Sequence, residues 1–188
     1  MKNYTKDKKI LLIIGGGISA YKSLDLIRIL KKMEAEIKVV LTSAGKNFVT
    51  SLSITSLSKN KVYEDLFDEK NESEIDHIAL SRWCDVILVA PVTANSIAKF
   101  ASGRSDDLAS TLILASNKQV ILVPAMNVRM WIHEATRLNM KKLFNYGYLS
   151  IGPEVGDMAC GEYGEGKMSN PNEIANYLEK YFSDKKII

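Results

Sequence analysis

The chain has 188 residues, 46% of them hydrophobic, which fits one globular domain over 1–188 with a sizeable core; nothing in the composition marks a second. Lys and Arg number 25 against 22 Asp and Glu, and the formal charge of +3 gives no argument for nucleic acid or an anionic membrane as partner. No apolar run approaches the ~20 residues of a membrane span, and the start M-K-N-Y-T-K-D-K-K lacks an apolar signal core. Cys84 and Cys160 stand far apart in unlike segments, so a cytoplasmic protein without a disulfide framework or metal site is expected.

In chain order, K-I-L-L-I-I (9–14) reads as a strand and leads through G-G-G-I-S into a helical pattern from Ala20 to Met33. E-I-K-V-V-L (36–41) is a second strand, and the polar stretch 59–76 reads as a surface excursion. D-V-I-L-V-A (85–90) and Q-V-I-L-V-P (119–124) complete the strands, with helices expected near 94–102, 106–116, 133–146 and 171–182. Aliphatic runs with no polar face are what a parallel sheet covered on both sides requires. The expected fold is therefore a single α/β domain, a doubly wound Rossmann-like or flavodoxin-like sheet with helices on both faces. Ligands of such sheets sit beyond the carboxyl ends of the strands. The segment G-D-M-A-C-G-E-Y-G-E-G-K-M (156–168) has neither helical nor alternating apolar period, and reads as a glycine-punctuated loop carrying Cys160 on a mobile cover.

The strand ends carry the candidate chemistry. Gly15, Gly16 and Gly17 followed by Ser19 allow backbone N–H groups to approach a phosphate, or form only a tight turn with Ser19 as helix cap. Thr42 and Ser43 after the second strand, and Thr93, Ala94, Asn95 and Ser96 after the third, offer small polar groups to a ligand or cap the next helix. Three such ends on one sheet edge favour a ligand. P-A-M-N-V-R-M-W (124–131) puts Asn127 at the carboxyl end of the fourth strand, for ligand binding or for helix capping, with Met126 and Met130 beside it. His77 precedes the 85–90 strand on a short helical stretch with Arg82 and Trp83; His133 reads as structural.

The segments GGISAYK (16–22), HIALSRW (77–83), APVTANS (90–96), DDLAS (106–110), PAMNVRMW (124–131) and ACGEYGEGKM (159–168) resemble the homo-oligomeric flavin-containing cysteine decarboxylases, and the likeness runs from about Lys9 to Phe182. The resemblance implies FMN, held by Gly16, Gly17, Ile18, Ser19, Thr42, Ser43, Thr93 to Ser96 and Ala125. It implies a trimer or a dodecamer, with flavin sites between subunits. It also implies a small-molecule substrate, 4′-phosphopantothenoylcysteine, converted to 4′-phosphopantetheine in coenzyme A biosynthesis. By matched position His77 would be the base, Cys160 the proton donor, and Asn127 the holder of the substrate carboxylate, with Met130, Arg82 and Ala159 near the substrate. The alternatives are a peptidyl-cysteine decarboxylase of the lantibiotic type, a flavin prenyltransferase and a non-catalytic FMN-binding regulatory subunit. In many bacteria this domain is fused to a synthetase, and the sequence leaves open whether the chain stands alone.

Overall fold

A computed structural model describes residues 3–66 and 76–185. The elements are β1 (Lys9–Ile14), α1 (Tyr21–Lys32), β2 (Glu36–Leu41), α2 (Ser51–Ser58), β3 (Val62–Tyr63), α3 (Asp76–Trp83), β4 (Val86–Val92), α4 (Ala94–Ala101), α5 (Leu108–Ala115), β5 (Gln119–Pro124), α6 (Val128–Ile132), α7 (Glu134–Asn145), β6 (Leu149–Ser150), β7 (Glu154–Asp157), β8 (Tyr163–Lys167) and α8 (Pro171–Lys185). β3-β2-β1-β4-β5-β6 form one parallel sheet, and β7 and β8 a separate antiparallel ribbon. The order 3-2-1-4-5-6 is that of a Rossmann sheet, whose direction of winding reverses between β1 and β4 and opens a crevice at their carboxyl ends.

Strand alternation divides the core into two layers. Ile10, Leu12 and Ile14 of β1, with Val86, Leu88 and Ala90 of β4, pack against Leu26, Ile27 and Leu30 of α1 and Ile174 and Leu178 of α8. Leu11, Ile13, Ile87 and Val89 face the opposite way, onto Leu80 of α3, Ile97 and Phe100 of α4, Leu108 and Leu112 of α5 and Leu143 of α7. Each such side chain taken out of water stabilises the fold by about 1.5–3 kcal/mol. α1 meets its layer because Ser23, Leu26, Ile27 and Leu30 recur at i, i+3, i+4 and i+7, and Lys31 and Lys32 complement its C-terminal dipole.

Two stretches differ from expectation. Within 59–76, Val62 and Tyr63 pair with Val39 and Val40 and add an edge strand; residues 67–75 of that stretch lie outside the described residues. The segment 156–168 is a ribbon rather than a loop, with Gly156 opposite Gly164 and Asp157 opposite Tyr163. A ladder of backbone hydrogen bonds needs no apolar alternation, so the side chains gave no sign of it.

α5 is set by a capping box. Asp107 Oδ1 accepts from Ser110 N at 2.7 Å, Ser110 Oγ accepts from Asp107 N at 3.2 Å, and Lys99 of α4 reaches Asp107 Oδ2 at 2.6 Å. Burial works against ionisation of Asp107, but the Lys99 ammonium and the Ser110 N–H outweigh it and hold the carboxyl below its ordinary value. Asp107→Ala is expected to lower stability by about 1–2 kcal/mol in urea titrations at neutral pH. The folded value is depressed, so this contribution is full above the unfolded value of ~3.9 and is lost as pH falls through the folded one. The gap between variant and wild type therefore narrows below about pH 4, to the part that a neutral cap retains; a gap independent of pH would show that charge plays no part.

Candidate functional site

At the carboxyl edge of the sheet, a cavity of about 510 Å³ lies beside β1 and β5 and under the β7–β8 ribbon. Its wall is made by the turn after β1 (Gly17, Ile18 and Ser19), the segment after β5 (Ala125, Met126 and Asn127) and the ribbon (Asp157 to Cys160 and Gly166 to Met168), with Tyr21 and Lys22 from α1. This size suits a small-molecule or cofactor site.

The turn after β1 is built by close approach. Gly15 N donates to Pro91 O at 3.1 Å, and a Cβ on Gly15 would lie 2.5 Å from that same oxygen. The chain then makes a 3₁₀ turn, Ile18–Ala20, before α1. The N–H groups of Gly16, Gly17, Ile18 and Ser19 find no acceptor among the described residues. Unpaired donors at the N-terminal end of a 12-residue helix are suited to an anion, such as the phosphate end of a nucleotide-type cofactor. Ser19 makes no side-chain cap, so of its two sequence readings the structure excludes helix capping.

The opposite wall places Asn127 at the start of α6. Its Oδ1 accepts from Arg129 N at 2.7 Å, which caps the helix. That bond also fixes the amide, leaving both Nδ2 hydrogens to face the ribbon. Capping and ligand recognition thus use different atoms of one side chain. Asn127 Nδ2 lies 3.6 Å from Cys160 Sγ and donates a short hydrogen bond to Glu162 Oε2, and the Cys160 thiol lies 3.8 Å from the same carboxylate oxygen. Cys160 is exposed at the ribbon's tip, whereas Cys84 is buried and its thiol is pushed up to about 11 by burial.

The ribbon is pinned to this wall at Gly166. Met126 N donates to Gly166 O at 3.0 Å, and a Cβ on Gly166 would come within 2.4 Å of Met126 O at a φ of +143°. Only glycine combines that backbone conformation with that approach. Lys22 Nζ donates to Met168 O at 2.8 Å and ties α1 to the ribbon's end. Burial, and secondarily the charge of Lys167, pushes the Lys22 ammonium below the usual lysine range, while Glu154 opposes the shift.

Of the residues singled out from sequence, Gly17, Ile18, Ser19, Ala125, Asn127, Ala159 and Cys160 line the cavity. Gly16 belongs to the same turn. Thr42 Oγ1 donates to Ile14 O at 3.0 Å and accepts from Gly45 N at 3.1 Å, which leaves one lone pair. Thr93 caps α4 by accepting from Ser96 N at 3.2 Å, with Ala94, Asn95 and Ser96 in that helix's first turn. Ser43 and Met130 are exposed and do not line the cavity.

His77 stands in the first turn of α3, on the other side of the sheet from α1, and Arg82 is exposed near that helix's end. Neither lines the cavity of the single chain. His77 Nδ1 is buried without a hydrogen-bond partner among the described residues. Glu162, Lys22 and Lys167 were not singled out as site residues; the only sequence sign of Glu162 was an acid two positions from the cysteine in a glycine-rich stretch.

Residues 1–183 match the Flavoprotein family. The coenzyme A biosynthesis bifunctional protein CoaBC of Haemophilus influenzae is 44% identical over 179 residues, which cover 95% of this chain and 45% of that protein. The chain thus spans about half the length of the curated relatives it matches. A solved Cys-to-Ser mutant of PPC decarboxylase complexed with pantothenoylaminoethenethiol superposes with a TM-score of 0.85 at 30% identity, covering 95% of this chain and all of that one. The FMN binding protein AtHal3 gives a TM-score of 0.82, also at 30% identity, over 95% of this chain and 98% of that one. With its Rossmann strand order, its turn of unpaired N–H groups and a match along almost its whole length, the chain belongs to the flavoprotein family.

Proposed function

We propose that the chain is an FMN-dependent decarboxylase that converts 4′-phosphopantothenoylcysteine to 4′-phosphopantetheine in coenzyme A biosynthesis. The observation that carries this reading is the meeting, at 3.6 Å, of an amide and a thiol 33 positions apart, in a cavity that also holds a turn of unpaired N–H groups. The family, the CoaBC relatives and the PPC decarboxylase neighbour support it.

A cysteinyl carboxylate has no electron sink beside it. Bound FMN would supply one, as a two-electron acceptor for the CH2–SH carbon that gives the electrons back once CO2 has left. The donors of Gly16, Gly17, Ile18 and Ser19 would hold its phosphate, with Ala125 beside the ring. Asn127 holds the substrate carboxylate with a neutral donor, which avoids the stronger ground-state stabilisation that a cation would give. His77 takes the thiol proton as oxidation begins. Cys160 delivers a proton when the enethiol is reduced, and the enethiol-type ligand of the solved Cys-to-Ser mutant supports a cysteine acting at that stage.

One chain does not bring His77 to the cavity. In the homo-oligomer that this reading includes, a trimer or a dodecamer built of four trimers, His77 of one subunit completes the site of the next. Among the described residues no helix is long and apolar enough to cross a membrane, and the reading places the enzyme in the cytoplasm.

Purified protein is expected to be yellow, and on incubation with 4′-phosphopantothenoylcysteine to give a product lighter by the mass of CO2. A C-terminal cysteinyl peptide tested in parallel is expected to stay intact. Loss of CO2 from the peptide alone would assign the chain to the peptidyl-cysteine enzymes. Colourless protein that FMN cannot reconstitute would overturn the flavin assignment.

A further inference from the structure

Glu162 contacts both residues that the proposed reaction sets against the substrate's cysteinyl end. Its Oε2 accepts from Asn127 Nδ2 and lies 3.8 Å from the Cys160 thiol, while Asn127 Nδ2 also reaches Cys160 Sγ at 3.6 Å. Two hydrogens on Nδ2 face two acceptors, and Oδ1 is committed to Arg129 N, so the amide has no donor to spare. A substrate carboxylate brought to Asn127 therefore meets a carboxylate already in place. Two like charges within ~4–6 Å disfavour each other, and one neutral amide cannot satisfy both.

The backbone around Glu162 is fixed, which makes its side chain the part free to give way. Met158 N donates to Glu162 O and Gly161 N to Met158 O, each at 2.9 Å, closing the ribbon's tip just beyond the Asp157–Tyr163 pair. Glu162 is half-buried, so its side chain has solvent to swing into.

Resting on the decarboxylase reading, we propose that Glu162 is a specificity-determining residue. It holds the carboxylate position beside Asn127 before substrate binds, yields it to a substrate carboxylate, and takes it back when that carboxyl group leaves as neutral CO2. The exchange weakens binding of the carboxylate-bearing substrate and leaves binding of the carboxylate-free product untouched. Weaker hold on a group about to be lost is the direction that raises turnover.

The test compares Glu162→Gln, which keeps shape and removes charge, and Glu162→Ala with wild type, all as FMN-loaded protein. KM for 4′-phosphopantothenoylcysteine is expected to fall about tenfold, the equivalent of one charge-assisted hydrogen bond no longer displaced. The inhibition constant of 4′-phosphopantetheine is expected to stay unchanged. A KM that is unchanged or raised, or the two constants moving together, would overturn the proposal. A second readout needs no turnover: in ligand-free Glu162→Gln, the Asn127 side-chain amide resonances should leave their wild-type positions, and an unmoved signal would refute the contact. Wild-type protein that released no CO2 from the substrate would instead sink the decarboxylase reading, with the amide signals still reporting on Glu162.

Discussion

Replacing His77 by Asn is expected to suppress CO2 release from 4′-phosphopantothenoylcysteine by about 10²–10⁴-fold, the range that a positioned general base contributes. The chain has two histidines, and the other is already engaged: His133 Nδ1 accepts from Ala135 N at 3.1 Å at the start of α7. His77 differs, since its Nδ1 is buried with no partner among the described residues. Asn retains polarity and approximate size but takes no proton. FMN content and thermal unfolding should therefore stay near wild type while single-turnover flavin reduction disappears. Unchanged CO2 release would remove His77 from the chemistry, and loss of the folded oligomer would point to a role in assembly.

What the sequence could reveal follows from which interactions leave a pattern in side chains. β1, β2 and β5 run over the residues expected of them, because strands buried on both faces are aliphatic over nearly their whole length, with polar residues only towards their amino ends, and β4 runs only slightly further than expected. β3 and β6 have two residues each, too few for any period, and α2 (S-L-S-I-T-S-L-S) buries little beyond Ile54. The β7–β8 ribbon rests on backbone pairing and on Gly166 against Met126 O, neither of which leaves an apolar trace. Asn127 and Cys160 stood out by residue type. Their meeting with Glu162 did not, because an acid in a glycine-rich stretch reads as solvent-facing until the turn at the ribbon's tip carries it back onto Asn127.

Exchange of Cys160 for Ser should separate two halves of the reaction that wild-type turnover joins. Cys160 is an exposed thiol at the ribbon's tip, beyond the pinning contacts at Gly166 and Met168, so the substitution leaves the core alone, and a serine hydroxyl can replace the thiol as acceptor from Asn127 Nδ2. Oxidation and carboxylate loss depend on His77 and Asn127 in this reading, and the first release of CO2 is expected at close to the wild-type rate. Reduction of the enethiol needs a proton at carbon, and a serine hydroxyl gives one up far less readily than a thiol. Formation of 4′-phosphopantetheine should fall by about 10²-fold or more, as expected for loss of a positioned acid. The released species should be lighter than that product by two hydrogen atoms, and the flavin absorbance should stay bleached after one turnover. Rapid-quench mass analysis beside stopped-flow absorbance reads both at once. Normal yield of 4′-phosphopantetheine from the variant would mean that the proton comes from elsewhere. Slowed CO2 release would instead mean that the thiol acts before the carboxylate is lost, which would recast the cluster of Asn127, Cys160 and Glu162 as machinery for the first half of the reaction.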